Sequence, residues 1–328
     1  MAIVTEPPPD LAPDLAPSPG DRGLATQESE ELARRTLRAW DLIAELAETT
    51  DLAATTLTGR TAKDLLTGLG RWPDSRWVAE ALVEAETGEE TGTSSGGRTD
   101  QDADEDRLRD AHRSATRAQL ITSLRRAGKE ARAFFGSNDD ETYGLAPVAS
   151  PLGPIPLRTF LHATSYRLAV AALDLPSSPD TDPAVSEIVE LGVVALVDAV
   201  GALSAREGLV VHVTGDTDAG AWTFSAADGS WTLTEWEVRP PGPAVICTAR
   251  TLLEVSSGRA EDVAGMYRRG ELKLEDVPGM LRLVPLLDHV PGIPGAAGLK
   301  LAARSFELAS KTLGLAGNAL GKLRRPFG

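Results

Sequence analysis

From Glu28 onward, apolar residues recur three or four positions apart. Leu32, Leu37, Trp40, Ile43 and Leu46 alternate with Glu and Arg, which predicts an amphipathic helix. Thr61 followed by Asp64 is a capping pattern that opens a second helix through Leu65, Leu66 and Leu69. Trp72-Pro73 interrupts it, and Trp77 to Val83 continue its spacing. A third helix is predicted from about Asp106 to Phe135, with Ala111, Ala115, Leu120 and Leu124 on one side. The stretch PLGPIPLRT, ending at Thr159, uses proline to start a fourth helix that closes near Asp174. A fifth carries Ile188, Leu191, Val194, Leu196, Val197 and Leu203, with Gly208 placed to terminate it.

After Gly208 the period drops from 3.6 to 2. Residues 209–213, 221–225, 231–236 and 244–248 read as strands, with turns at Gly215-Asp216 and Asp228-Gly229. Short helices are expected over 251–257 and 260–267, and another strand over 271–274. The fold class is therefore α+β: an up-down helical bundle, then a small antiparallel α+β domain, then a C-terminal amphipathic helix. The expected division is a disordered lead-in at 1–27, a bundle at 28–183 with an acidic loop at 84–106, an α+β domain at 184–292, and a basic tail at 293–328. In the tail, Leu299, Ala302, Phe306, Ala309, Leu313, Ala316, Leu320 and Leu323 share a face, and Lys300, Arg304, Lys311, Lys322 and Arg325 fall on another. Such a helix over 296–328 fits peripheral contact with an anionic membrane, docking on a partner, or packing on its own domain.

Charge and rare residues narrow the classes. A net charge of −15 argues against nucleic acid as a partner, since phosphate binding needs clustered Lys and Arg. The single cysteine, Cys247, allows neither an internal disulfide nor a Cys-rich zinc site, which fits a cytoplasmic location. The N-terminus lacks the basic and apolar regions of a signal peptide, and no window offers the roughly 18 uncharged apolar residues of a membrane span. His112, His162, His212 and His289 form no H-x-x-x-H or H-E-x-x-H pair, and each reads as a surface or satisfied core histidine. Cys247, on a predicted strand, reads as a small buried residue, and Asp139-Asp140-Glu141 as a solvated connection. No G-x-S-x-G, Walker A or strand-linked G-x-G-x-x-G is present. Trp222 and Phe224 alternate with Thr223, and Trp231 with Thr232; that apolar face either packs under helices or lines a pocket for an apolar ligand.

The segment from Thr58 to Leu66 (TGRTAKDLL) resembles the start of the second helix of mycothiol-dependent maleylpyruvate isomerases, in the DinB-like four-helix-bundle superfamily. PLGPIPL at 151–157, leading into LAVAALDL at 168–175, resembles them too, and the likeness spans about residues 28 to 206. It implies a DinB-like bundle and a divalent metal, usually zinc, held by three side chains. One is a histidine four residues after the Asp-Leu-Leu aspartate, where this chain has Gly68. The others are a glutamate and a histidine four residues apart, where it has Arg167 and Ala171. These three cannot ligate a metal, and Arg167 brings a permanent cation that either holds an anion, reaches solvent or pairs with Asp174. His162 lies roughly 140° around the helix from 167 and roughly 180° from 171. Substitute ligands from Asp41, Glu45 or His112 remain open. Residues 184–292 resemble a sterol-carrier-protein-type-2-like domain in Trp222-Thr223-Phe224, in Thr251-Leu252-Leu253 to Gly258-Arg259, and in Gly270 to Glu275, with Asp276 where that family commonly has glycine. This implies a curved sheet backed by helices, often around an apolar tunnel.

Two functions follow. One is a non-catalytic, maleylpyruvate-isomerase-like protein without cofactor that binds a small apolar or anionic ligand or a protein partner, with Arg167, Trp222, Phe224 and Trp231 as contacts. The other is a mycothiol-dependent isomerase or thiol transferase with an altered or metal-free site, in which zinc and mycothiol remain cofactors and Arg167 orients a carboxylate or thiolate.

Overall fold

The computed structural model describes residues 23–25, 29–73, 77–88, 106–150, 154–176, 182–260, 262–283 and 286. The tail at 293–328, His289 and most of the lead-in and acidic loop lie outside them. Helix and sheet are mixed. The first half holds α1 (Ser29–Thr49), α2 (Ala62–Leu69), α3 (Trp77–Thr87), α4 (106–111), α5 (Arg117–Phe134), α6 (Asn138–Tyr143) and α7 (Leu157–Ala172). A two-stranded ribbon of β2 (Pro147–Val148) and β3 (Ile155–Pro156) precedes α7. Helix α8 (Pro183–Arg206) follows, and then the main sheet.

Several expectations change. The interruption expected at Trp72-Pro73 is present, and the predicted third helix also divides. Alpha2 stops at Leu69, and Trp72 seals its end by donating from Nε1 to the Thr67 carbonyl at 3.1 Å. Between α4 and α5 the chain turns at 112–116, because Thr116 forms a capping box with Gln119 that starts a new helix. Glu84, counted in the acidic loop, is instead buried in α3, where it accepts from the Ala149 amide. The Asp139-Asp140-Glu141 run is not a solvated loop. It lies in α6, and Asp140, buried, accepts from Arg158, Ser29 Oγ and the Gly136 amide. This charged anchor ties the starts of α1 and α7 to α6.

The main sheet has the order β1-β6-β5-β4-β7-β8, built from β4 (Val211–Thr217), β5 (Gly220–Ala227), β6 (Ser230–Trp236), β7 (Ala244–Cys247) and β8 (Leu272–Glu275). Its edge strand β1 (Gly23–Ala25) comes from within the stretch expected to be disordered and pairs antiparallel with β6. The sheet is not wholly antiparallel: β4 and β7 run parallel, with Thr214 opposite Ala244. Asp228 and Gly229, at φ 51° and 73°, make the tight turn between β5 and β6. Gly215-Asp216 is no turn but part of β4, opposite Trp222 and Ala221. Alpha9 (Ala249–Ser256), α10 (Val263–Arg269) and α11 (Val277–Met280) complete the described chain, with a 3-10 turn at Leu281–Leu283.

Helix α8 lies between the two layers. It is long and apolar enough to cross a bilayer by length and composition alone, with a mean hydropathy of 2.0, but 83% of that window is buried inside the protein. It serves as a core helix: most residues from Leu191 to Ala205 are buried, while Ser186 and Glu187 near its start reach solvent. Two glycines permit this. A Cβ on Gly192 would lie 2.2 Å from the Ala169 Cβ of α7, and one on Gly201 would lie 2.7 Å from Trp231 Cδ1 of β6. Nine residues are about two and a half turns, so the glycines face opposite ways, one toward each layer. One continuous buried cluster therefore runs from Trp40 and Leu66 through Val194 and Val197 to Trp222 and Leu233.

Gly192→Ala should destabilise the protein by about 1–3 kcal/mol through overpacking, less up to about 1 kcal/mol gained in helix propensity. Urea unfolding monitored by circular dichroism measures this. A raised midpoint would contradict the close contact of α7 with α8.

Candidate functional site

The bundle position singled out by sequence is built at the end of α2. The loop before it closes through a bridge between Thr55 and Thr61, with Gly59 at φ 78° in the turn. Thr61 and Asp64 then form the capping box that fixes the start of α2. Gly70 follows the helix closely against α5, where any Cβ would lie 2.3 Å from Ser123 Oγ. This geometry sets the Gly68 carbonyl toward α7, and Arg167 Nη2 reaches to 3.4 Å from it. Ala171, one turn on, is buried.

The structure thus brings Gly68 and Arg167 together. The donor set does not fit zinc: a backbone carbonyl, a guanidinium and a methyl group offer none of the imidazole, thiolate or carboxylate donors it requires. Among the described residues no three His, Cys, Asp or Glu side chains are grouped to hold a metal ion. Asp41 and Glu45 lie on the exposed side of α1, with Glu45 paired to Arg38, while His112 stacks on Trp72 at 3.9 Å. Asp174 is not the partner of Arg167. Arg259 takes it with two hydrogen bonds, at 2.7 and 2.6 Å, and also donates to the Val170 carbonyl at 2.6 Å. That clamp joins the end of α7 to the chain after α9.

Trp222, Phe224 and Trp231 lie on the sheet face that meets α8, and all three are buried. Phe224 and Trp231 pack at Gly201, and Arg35 of α1 places its guanidinium 4.6 Å from the centroid of Trp222. These rings fill the space between sheet and helix. Cys247 is half-buried, and burial, with Asp218 and Asp216 nearby, pushes its thiol up to about 12. It is protonated at neutral pH and a poor nucleophile.

Sequence reasoning missed a buried polar network. His162 Nδ1 lies 2.9 Å from Asp198 Oδ2, and Trp231 Nε1 donates to Asp198 Oδ1 at 2.8 Å. His162 is 0% exposed and Asp198 1%, so the network is sealed from solvent. It links α7, α8 and β6 through one carboxylate. The signal was Asp198 itself, an acid inside the apolar run VVALVDAVGAL, which calls for a buried partner. His162 Nε2 has no hydrogen-bond partner among the described residues. The arrangement suits a structural tie rather than catalysis, because no open surface reaches it.

No protein-family model and no curated protein matches the chain. Among solved structures it is similar to a crystal structure of the mycothiol-dependent maleylpyruvate isomerase, with a TM-score of 0.45 and 16% identity, over 71% of this chain and 90% of that one. A mutant of that isomerase is similar at a TM-score of 0.44, with the same identity and coverage. Likeness of this degree leaves the chemistry to be argued from the residues themselves.

Asp198→Ala would leave two buried donors, on His162 and Trp231, without their acceptor. The expected loss is about 2–5 kcal/mol, read by chemical denaturation. A loss within the roughly 0.5 kcal/mol typical of surface changes would contradict the tie.

Proposed function

We propose that the chain is a non-catalytic, maleylpyruvate-isomerase-like protein whose bundle position binds a small anionic ligand in place of a metal. The observation that carries this reading is Arg167, half-buried, with its guanidinium beside the Gly68 carbonyl. A guanidinium there repels a divalent cation and offers planar donors to a carboxylate. The sequence resemblance places the metal of the thiol-dependent enzymes at these same positions, so replacing three donors with Gly68, Arg167 and Ala171 reverses the charge preference of the site. The apolar-ligand version has less support, since Trp222, Phe224 and Trp231 are occupied in packing between the sheet and α8. On this reading the helical half is a DinB-like bundle, the sheet half is a sterol-carrier-like domain, the protein is cytoplasmic, and neither zinc nor mycothiol is needed.

Maleate serves as a probe dicarboxylate. In isothermal titration calorimetry, Arg167→Ala should weaken its binding about tenfold or more, the loss expected for a charge-assisted hydrogen bond. Equal affinity in the variant and the unaltered protein would refute an anion site at Arg167.

A further inference from the structure

Helix α5 carries a charge pattern that its own packing does not use, and the pattern is independent of Arg167. Ala118, Thr122, Arg125, Lys129 and Arg132 recur three or four positions apart, and all are exposed. They form one stripe along the helix, with the three cations inside an arc of roughly 60° and a length of about 10 Å. On a chain with a net charge of −15, three cations in a row with no acid among them run against the prevailing sign.

The stripe works against the helix that bears it. Arg125 and Lys129 stand four positions apart and Lys129 and Arg132 three, and like charges at these spacings disfavour a helix. Only Arg132, in the last turn, recovers part of this from the carbonyl end of the helix. The surroundings do not neutralise the row. Glu130, the one acid of α5, lies roughly 140° around the helix from Arg125. Its carboxyl feels Arg71 and Arg126 instead. Helix α1 packs alongside α5, and its exposed side carries Asp41, Glu45 and Glu48. Of these, Glu45 pairs with Arg38, and Glu48 pairs with Arg125 in a contact open to water, where an ion pair is weak and readily exchanged. Among the described residues, no hydrogen bond or ion pair engages Lys129 or Arg132.

The arrangement restricts the partner. A second copy of the chain, joined through this face by a two-fold axis, would set cations against cations. A broad anionic surface such as a membrane would also meet the acids of α1, and the stripe offers it no large apolar side chain. A narrow acidic segment touches the row without touching its flanks. One carboxylate cannot span the row, whereas successive acids on one segment can pair with each cation in turn. We propose that this face of α5 docks an acidic segment of a partner protein, its carboxylates laid along Arg125, Lys129 and Arg132.

The test uses the full chain and a fluorescein-labelled decaglutamate peptide, followed by anisotropy at low ionic strength. A Gly-Ser peptide of the same length and label, free glutamate as competitor, and phosphatidylglycerol vesicles are the comparators. Decaglutamate should bind, and about tenfold more weakly once salt reaches about 0.15 M, where the screening length is roughly 8 Å. In Arg125→Gln/Lys129→Gln/Arg132→Gln the affinity should fall about tenfold, as three exposed ion pairs together allow. Glutamine is a good helix former, so α5 should persist, which circular dichroism checks. The matched variant Arg250→Gln/Arg268→Gln/Lys273→Gln removes the same charge from exposed positions of α9, α10 and β8, and should bind as the unaltered chain does. Equal loss in both variants, or no loss in the first, would overturn the proposal. So would equal binding of the Gly-Ser peptide, displacement by an equal concentration of free glutamate, tighter binding to the vesicles, or no binding of decaglutamate at millimolar concentration.

Discussion

The structure depends on the burial of α8 on both of its faces. A helix of this apolarity is stable in water only if every side is covered, and the two layers that cover it are the α1–α7 bundle and the sheet. Gly192 and Gly201 bring those layers to contact distance, and Asp198 supplies a buried directional interaction that joins α7, α8 and β6. A carboxylate at 1% exposure is costly unless its oxygens are paired. His162 and Trp231 pair one oxygen each, so the carboxylate fixes the rotation of α8 against both neighbours at once. The bidentate Arg259–Asp174 clamp ties the end of α7 to the chain after α9.

Much of this was legible in the chain because it is local. The capping box of α2 needs only Thr61 and Asp64, three residues apart, and the β5–β6 turn needs only Asp228 and Gly229. The alternation of Trp222 and Phe224 was enough to place both on one face of β5. What escaped was set by distant partners. Asp140 reads as a surface acid until Arg158, eighteen positions on, is folded against it. His162 and Asp198 are thirty-six residues apart. Gly215 looked like a turn residue, yet it lies within β4 opposite Trp222, and the chain reverses only after Thr217. The break at Trp72-Pro73 was announced by its proline, while the one at 112–116 was hidden because the apolar spacing continues across it.

The functional reading rests on electrostatics at the junction of α2 and α7. The end of α2 is held by the Trp72 hydrogen bond to Thr67 and by the close approach of Gly70 to Ser123. Arg167 therefore faces a fixed backbone carbonyl rather than a mobile loop. A permanent cation in that place is compatible with anions and opposed to divalent metals.

The central claim is that this bundle position has exchanged a metal for a guanidinium. Elemental analysis of the purified, untagged protein after exposure to zinc and gel filtration tests it most directly. The account predicts a zinc content near zero per chain, unchanged by Arg167→Ala. One tightly held ion per chain would contradict it and return the protein to the metal-dependent chemistry of the isomerases it resembles.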